Sequence, residues 1–289
     1  MSDWWSENDL KSRFMVSSDD YQASKVVLFG APMDYTVSFR PGSRFGPKAV
    51  REVSEALEEY SFYQGKDLRE TTFFDAGDLY LPFGNVPKSL RQIGAAVAQI
   101  RRDGKKPFLI GGEHLVSWPA IEFMADQYQE LRVIHLDAHT DLRASYYGEI
   151  YSHASVIRLV TEKLGPGRVY QFGIRSGDKP DFEYARTNTR LFPEELLAPF
   201  YSCIRDLQGH PLYVTIDIDI LDPAFAPGTG TPESGGIAPR ELFNFIKELT
   251  ALNVIGADLV EIAPAYDPTG ATQLLGAKLV REIILSLDK

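Results

Sequence analysis

Seven short and almost continuously apolar segments recur along the chain, separated by longer amphipathic stretches. Apolar, β-branched runs without polar alternation are typical of parallel strands that are covered on both faces. The segments are KVVLFGAP (25–32), TFFDAG (72–77), PFLIGG (107–112), RVIHLDA (132–138), RVYQFGI (168–174), LYVTIDID (212–219) and VIGADLVEI (254–262). The pattern therefore predicts a doubly wound α/β fold.

Amphipathic segments between the predicted strands supply the helices of this fold. The clearest are GPKAVREVSEALEEY (46–60), VPKSLRQIGAAVAQIRRDG (86–104) and APRELFNFIKELTAL (238–252). The first and third carry proline at or near the helix start, where the missing N–H costs nothing. No linker or composition break interrupts the pattern, so residues 1–289 are predicted to form one domain, with 1–24 as an N-terminal extension.

Composition limits the classes of partner. No apolar run approaches the roughly 18 to 20 residues of a membrane helix. The N-terminus is polar and acidic, unlike a signal peptide, so we expect a cytoplasmic protein that does not contact a membrane. The net charge of −10 disfavours nucleic acid and favours a small cationic ligand.

Three single residues have structural interpretations. The only cysteine, Cys203, excludes an intramolecular disulfide and a zinc site of several thiolates. Its neighbours favour a helix, in which it serves as a small buried hydrophobe. His135 lies inside a predicted strand and is interpreted as a hydrogen-bonded core histidine, whereas His210, in the turn QGHP, is expected at the surface.

Acidic and imidazole residues cluster where four predicted strands end. GGEH follows PFLI, DAHTD follows RVIHL, DID follows LYVTI, and Glu261 follows ADLV. Ligands of open α/β sheets bind beyond the carboxyl ends of the strands. Residues two apart in an extended chain share a face, so each cluster can point at one place. The predicted metal ligands are His114, Asp137, His139, Asp141, Asp217 and Asp219.

This ligand set favours a pair of divalent cations. Buried carboxylates would repel one another unless cations balanced them. A single Asp after a strand can instead cap the following helix, but two alternating clusters are poorly explained by caps. Hard carboxylates with two imidazoles and no thiolate suit Mn²⁺, with Co²⁺, Fe²⁺ or Zn²⁺ as alternatives. The residues alone thus predict a binuclear metallohydrolase.

The motifs GGEH, DAHTD and TIDIDILDPAFAPGTGTPESGG, taken together, resemble the ureohydrolase (arginase/agmatinase) family. RPGSRFGPKAVR (40–51) and DLVEIAPAYD (258–267) are similar to flanking segments of that family, and the matches run in order from about residue 26 to the C-terminus. The resemblance implies a three-layer α/β/α sandwich with a central, mostly parallel sheet and two Mn²⁺ per subunit. It also implies a homo-oligomer, a trimer or a hexamer.

Roles for individual residues follow from the same resemblance. One metal would be held by His114, Asp137, Asp141 and Asp217, and the other by Asp137, His139, Asp217 and Asp219. Glu261 matches the carboxylate that binds the guanidinium group. Asp141 would pass a proton to the departing amine, and His153 matches the histidine that shuttles protons.

The segment LRASYYGEIYS, between Asp141 and His153, indicates the substrate. It lacks the Asn/Ser pattern with which arginases hold the α-carboxylate and α-amino group of arginine. The segment looks more like that of bacterial agmatinases, so the resemblance implies conversion of agmatine to putrescine and urea, for polyamine (putrescine and spermidine) synthesis. Tyr146, Tyr147 and Glu149 are candidates to line the amine end, with a solvated loop as the alternative.

Several other functions stay open on the sequence. Within the family they are hydrolysis of aminopropylagmatine or guanidinobutyrate, and formiminoglutamase activity. A single-metal deacetylase shares the architecture but does not need the complete second set of ligands. A catalytically inactive homologue that binds a partner would be expected to have lost a ligand, the histidine or the glutamate, and all of these are present.

Overall fold

A computed structural model describes residues 4–6, 8–9 and 12–288 of the chain. The strands in these ranges are β1 (Val26–Ala31), β2 (Tyr60–Ser61), β3 (Lys66–Asp67), β4 (Phe73–Asp78), β5 (Lys106–Gly111), β6 (Arg132–Leu136), β7 (Val169–Ile174), β8 (Arg190–Pro193), β9 (Leu212–Asp217) and β10 (Val254–Val260). The α-helices are α1 (Gly46–Ser54), α2 (Val86–Arg102), α3 (Trp118–Gln127), α4 (Val156–Leu164), α5 (Lys179–Asn188), α6 (Leu197–Leu207), α7 (Pro239–Leu249) and α8 (Ala271–Leu287).

Eight of the strands in the described part of the chain form one sheet. Its order is β4-β1-β5-β10-β9-β6-β7-β8, and every neighbouring pair is parallel. All seven predicted strands are present within a few residues of the expected bounds. The edge strand β8 and the small antiparallel pair β2–β3 were not predicted. The predicted α/β fold with a central parallel sheet is confirmed.

Helices cover both faces of this sheet and give it two hydrophobic cores. Along β1, Val26 and Leu28 belong to one core, while Val27 and Phe29 belong to the other. The first core is shared with α1, α6, α7 and α8, and the second with α2, α3 and α4. Because the seven predicted strands bury side chains on both faces, their sequences are almost continuously apolar, which explains the sequence pattern.

The described part of residues 1–24 packs against the outer edge of the sheet, beside β4. Phe14 is buried, and its backbone N–H donates to Asp75 Oδ2 over 2.7 Å. The ring of Trp5 stacks on Tyr21 with the centroids 3.9 Å apart. Residues 1–3, 7, 10 and 11 of the predicted extension lie outside the described residues.

The segment RPGSRFGPKAVR contributes a buried ion pair. The Arg51 guanidinium donates to both oxygens of Asp75, over 2.8 and 2.9 Å, and also to Asp78. Although burial opposes the charge, these two carboxylates raise the pKa of Arg51. The helix carrying it was predicted to reach residue 60 but ends at Ser54, whose Oγ donates to the Arg51 carbonyl and accepts from the Met15 N–H. That predicted boundary is wrong.

Other single-residue predictions are confirmed. Cys203 lies in α6, is 7% exposed, and burial raises the pKa of its thiol to about 11. His210 is partly exposed in the turn after α6.

Across the described residues, no helix has the length and apolar character that crossing a membrane requires.

Candidate metal centre

Four adjacent strands at the middle of the sheet deliver the predicted ligands to one edge. In sheet order they are β5, β10, β9 and β6. His114 begins a short 3-10 turn after β5, and Glu261 follows β10. Asp217 is the last residue of β9, and residues 137–141 follow β6. Because parallel strands all end at this edge, sequence segments more than 100 residues apart meet there.

His114 is the centre of one group of ligand atoms. Its Nδ1 lies 3.0 Å from Asp137 Oδ2, 3.1 Å from Asp141 Oδ2 and 3.5 Å from Asp217 Oδ2. The other nitrogen of the same imidazole, Nε2, lies 2.9 Å from Thr215 Oγ1, and this contact fixes the orientation of the ring. One ring nitrogen is thus engaged by the core, and the other faces three carboxylates.

A second group lies beside the first and shares Asp137 with it. His139 Nδ1 is 2.9 Å from Asp219 Oδ2 and 3.5 Å from Asp137 Oδ1. The other oxygen of Asp219 accepts from the Ala138 N–H over 3.0 Å. All six residues predicted as ligands therefore converge, and Asp137 takes the place between the two groups that a bridging ligand needs.

The electrostatics of the site fit bound cations. Burial, followed by repulsion from neighbouring carboxylates, raises the pKa of Asp217 well above its ordinary value and also raises that of Asp219. Although burial has the same tendency at Asp137, the imidazoles of His135, His114 and His139 hold its pKa well below the ordinary value. Cations placed among these oxygens would balance the buried charge.

Two buried atoms point to the same conclusion. Among the described residues, His114 Nδ1 and Asp219 Oδ2 are fully buried, and although carboxylate or imidazole atoms lie about 3 Å from each, no contact of either atom has the geometry of a hydrogen bond. Buried polar atoms nearly always have one, so such atoms facing carboxylates and imidazoles need another partner. Oxygen-rich donors with two imidazoles are the set that Mn²⁺ accepts. The residues present therefore fit a divalent metal, while its identity and number stay predictions.

The backbone of the site departs from the sequence-based argument at one point. Asp137, His139 and Asp141 were predicted to share one face of an extended segment, but β6 ends at Leu136. Asp141 instead has φ of 50°, in the left-handed region, and Glu261 has φ of 65°. Such conformations are unfavourable for residues with a Cβ and are found at functional sites. The convergence was predicted correctly, but the extended geometry offered as its cause was wrong.

Asp217 also has the capping role that was considered as an alternative to metal binding. Its Oδ1 accepts from the Asp219 N–H over 2.8 Å, at the start of the 3-10 turn Ile218–Ile220. Its other oxygen, Oδ2, is the one that faces His114. The cap therefore orients the carboxylate toward the metal ligands rather than replacing that role.

The residue His135 is fully buried in β6, as predicted for a core histidine. Its Nε2 lies 2.8 Å from Asp137 Oδ2, and its Nδ1 lies 3.1 Å from Gln171 Nε2. On the far side of His114, Thr215 donates to Asp258 Oδ1 over 2.6 Å. These core residues hold Asp137 and His114 in place from behind the site.

A cavity of about 230 Å³ opens onto the predicted metal ligands. Its wall includes Glu261, whose Oε1 accepts from the His114 N–H over 2.9 Å. Burial and then the nearby Glu113 raise the pKa of Glu261 to about 8. A carboxylate in this environment gains most from a cationic partner, because the partner stabilises its charged form.

The predicted proton carrier His153 also lines this cavity. It begins the 3-10 turn His153–Ser155, and the edge of its ring meets the ring of Tyr146 with the centroids 5.6 Å apart. Burial lowers the pKa of the imidazole. Its two ring nitrogens face the hydroxyls of Thr36 and Ser38, in the loop after β1.

The three predicted tail residues separate in the structure. Tyr146 lines both the metal cavity and a neighbouring cavity, whereas Tyr147 and Glu149 line only the neighbouring one, together with Tyr35 and Tyr151. Tyr147 is 90% exposed at the tip of a tight turn. The metal cavity therefore does not include Tyr147 or Glu149 in its wall.

Sequence analysis missed several residues of the cavity. Arg143 and Asp178 pair at its rim over 2.6 Å, and the Arg143 guanidinium lies 4.9 Å from the centroid of the Tyr146 ring. Glu113 lies under the site, where burial raises its pKa to about 7. The Glu of GGEH was visible in the sequence, but only its neighbour His114 fitted a ligand role.

The titration of the site predicts how pH affects the metal-free protein. The pKa of Glu261 rises from 4.5 to about 8 on folding, so the folded state binds more protons than the unfolded state between these values. The contribution of Glu261 to the free energy of unfolding is then fully present below about pH 4.5 and is lost as the pH rises through about 8. The raised pKa values of Asp217 and Asp219 act in the same direction.

We therefore expect the melting temperature of the chelated protein to fall between pH 5 and pH 8, and added Mn²⁺ to raise it more at pH 8 than at pH 5. Differential scanning fluorimetry at both pH values measures this. Equal stabilisation by Mn²⁺ at both would contradict the electrostatic account.

Comparisons with known proteins agree with this architecture. The family model described as the arginase family matches residues 24–286. An agmatinase of Bacillus anthracis is 52% identical over 279 residues, which cover 96% of each chain.

Solved structures lead to the same family. A Clostridium difficile structure, solved as that of a candidate agmatinase, superposes with a TM-score of 0.90 at 39% identity, covering 93% of this chain and 99% of that one. The agmatine ureohydrolase of Thermoplasma volcanium gives a TM-score of 0.87 at 32% identity, covering 95% and 94%. The resemblance inferred from GGEH, DAHTD and TIDID is confirmed, and the chain belongs to the arginase family.

Proposed function

We propose that this protein hydrolyses agmatine to putrescine and urea with two bound Mn²⁺ ions. The observation that carries the proposal is the convergence of the six predicted ligands beside a cavity that Glu261 and His153 both line. The relatives named agmatinases support the choice of substrate, since one of them is 52% identical along almost the whole chain.

Each ligand group would hold one metal ion. The ligands of the first would be His114, Asp137, Asp141 and Asp217, and those of the second Asp137, His139, Asp217 and Asp219. A metal pair held there would lower the pKa of a water molecule and so would supply the strong nucleophile that a guanidinium requires at neutral pH.

Glu261 is the proposed partner of the guanidinium group. The His114 N–H fixes one of its oxygens, so the carboxylate has a defined orientation beside the cavity. A guanidinium offers parallel N–H donors and can make a two-pronged, charge-assisted contact with a carboxylate. The substrate cation would also compensate the repulsion between Glu261 and Glu113.

Asp141 and His153 are the proposed proton carriers. Hydrolysis gives urea and an ammonium group, so both protons of the attacking water end on the departing nitrogen, and one of them must be carried there as the C–N bond breaks. Asp141 borders the cavity and can take this proton and deliver it to the amine nitrogen. His153, which also lines the cavity, can exchange protons between the cavity and solvent.

A urea-release assay tests the proposal. Agmatine with Mn²⁺ should yield urea and putrescine in equal amounts, chelation should abolish the activity, and Mn²⁺ should restore it, because the carboxylates of the site need cations. Aminopropylagmatine and guanidinobutyrate serve as the comparison in the same assay, and formiminoglutamate is tested by release of formamide, because its formimino group cannot yield urea. Faster turnover of any of these would change the substrate, and a fully active enzyme with one tightly bound Zn²⁺ would favour the single-metal deacetylase.

A further inference from the structure

Thr36 lies in the loop after β1 and contacts both the ring and the backbone of His153. We propose that Thr36 is a positioning residue that fixes which nitrogen of His153 carries the hydrogen, and that Glu113 anchors Thr36 for this purpose. The inference rests on the proposed function, in which His153 carries protons. Neither Thr36 nor Glu113 is needed as a metal ligand in the arrangement described above.

The contacts around Thr36 form a short chain from Glu113 to His153. Thr36 Oγ1 lies 2.7 Å from Glu113 Oε2, 3.0 Å from the His153 backbone nitrogen and 3.5 Å from His153 Nδ1. The Thr36 backbone N–H also donates to Glu113 Oε2, over 2.8 Å. Glu113 itself is fully buried.

These contacts leave one arrangement of hydrogens. A threonine hydroxyl has one hydrogen to donate, and the shortest contact of Oγ1 is with Glu113 Oε2. Oε2 already accepts the Thr36 N–H, so its lone pairs face Thr36. The hydroxyl therefore donates to Oε2 and presents its own lone pairs to His153.

The lone pairs of Thr36 Oγ1 then determine the form of the imidazole. The His153 backbone N–H donates to one of them, which holds the start of the turn. Nδ1 can contact the other only as an N–H donor, so Nδ1 carries the hydrogen of the neutral ring. The separation of 3.5 Å is long for a hydrogen bond, as is common in sites without substrate.

This assignment makes Nε2 the nitrogen that exchanges protons. Nε2 lies on the cavity side, 3.4 Å from Ser38 Oγ. With Nδ1–H held by Thr36, the lone pair of Nε2 is available to accept a proton and to return it. Without Thr36, the ring could populate the opposite tautomer, in which Nε2 has no lone pair to accept a proton.

A double-mutant cycle tests the proposal. Thr36→Val removes the hydroxyl, keeps the shape and keeps the backbone bond to Glu113. We expect kcat to fall about 10- to 100-fold, part of the contribution of a positioned acid or base, with KM changed less than about threefold. Metal content should stay unchanged, Thr36→Ser should restore most of kcat, and Thr187→Val, at the exposed end of α5, is the matched control for the substitution.

Thr36→Val is also measured in a protein that already carries His153→Ala. This comparison separates an effect on the position of His153 from a general effect on the loop. There, Thr36→Val should reduce kcat by less than about twofold, since the residue it positions is gone. An equal loss in both backgrounds, or no loss in the otherwise unchanged enzyme, would overturn the proposal.

The tautomer can also be read directly by ¹⁵N NMR of histidine-labelled, Zn²⁺-loaded protein, with His153 assigned by its absence in His153→Ala. Nδ1–H should dominate in the unchanged chain and in Thr36→Ser, and it should lose dominance in Thr36→Val. If His153→Ala leaves kcat unchanged, the proton-carrier role fails. The NMR result then decides the positioning role by itself, and an Nε2–H tautomer in the unchanged chain overturns it.

Discussion

Asp217→Asn is expected to reduce urea release by at least about 10³-fold while raising the melting temperature of the metal-free protein. Burial and then repulsion from Asp219 and Asp137 raise the pKa of the Asp217 carboxyl, so its charge destabilises the empty site. Asparagine keeps the shape and an oxygen that accepts from the Asp219 N–H, but it removes the charge that the proposal assigns to both metal ions. Stability and activity should therefore change in opposite directions.

The matched variant for this experiment is His153→Ala, which lies on the wall of the same cavity. It should keep its metal ions and slow turnover by roughly 10²–10⁴-fold, the contribution of a positioned acid or base. Elemental analysis and melting curves of both variants distinguish the two roles. If Asp217→Asn retains full metal content, or if His153→Ala empties the site, the assigned roles are exchanged or wrong.

The sequence predicted the fold well because the sheet is parallel and buried. Strands such as β1 and β9 bury every residue, so their apolar runs were unambiguous. The edge strand β8, of sequence RLFP, is largely exposed and has no such signal. The helix α1 ends early although EALEEY favours helix, because the chain turns there to place Ser61, which donates to the buried Glu282. A contact across 221 residues leaves no local pattern.

The candidate site was predictable to the extent that its residues follow strands. His114, Asp137 and Asp217 stand directly after apolar runs, so their common edge followed from the parallel sheet. Thr36 and Asp178 come instead from loops after β1 and β7 with no metal-ligand pattern. Their roles depend on which loops meet over the cavity. The order of the strands in the sheet determines those contacts, and this order cannot be read from composition or periodicity.

Preference for agmatine over L-arginine should exceed about 10³-fold in kcat/KM, because a site that leaves a buried charge unpaired discriminates by several kcal/mol. Arginine carries both an α-carboxylate and an α-ammonium group. Arg143, at the rim of the cavity, is the cation that could bind this carboxylate. Asp178 already pairs with it over 2.6 Å. The α-carboxylate would have to break that pair and would add negative charge beside Asp141 and Glu261. Steady-state kinetics on both substrates measures the ratio.

The preference for agmatine over arginine should change in a variant that loses the carboxylate to which the amine of agmatine binds. Glu149 was the sequence-based candidate, but it lines the neighbouring cavity, whereas Asp178 lines the metal cavity. We therefore expect Asp178→Asn to raise KM for agmatine and to reduce the preference over arginine, because it removes an anion and frees the Arg143 charge at the same rim. Glu149→Gln, measured in parallel, should change KM less than about threefold, as expected for an exposed charge screened by solvent. The opposite result, a large effect of Glu149→Gln with a small effect of Asp178→Asn, would place the amine in the tyrosine-lined cavity and would favour a longer substrate such as aminopropylagmatine.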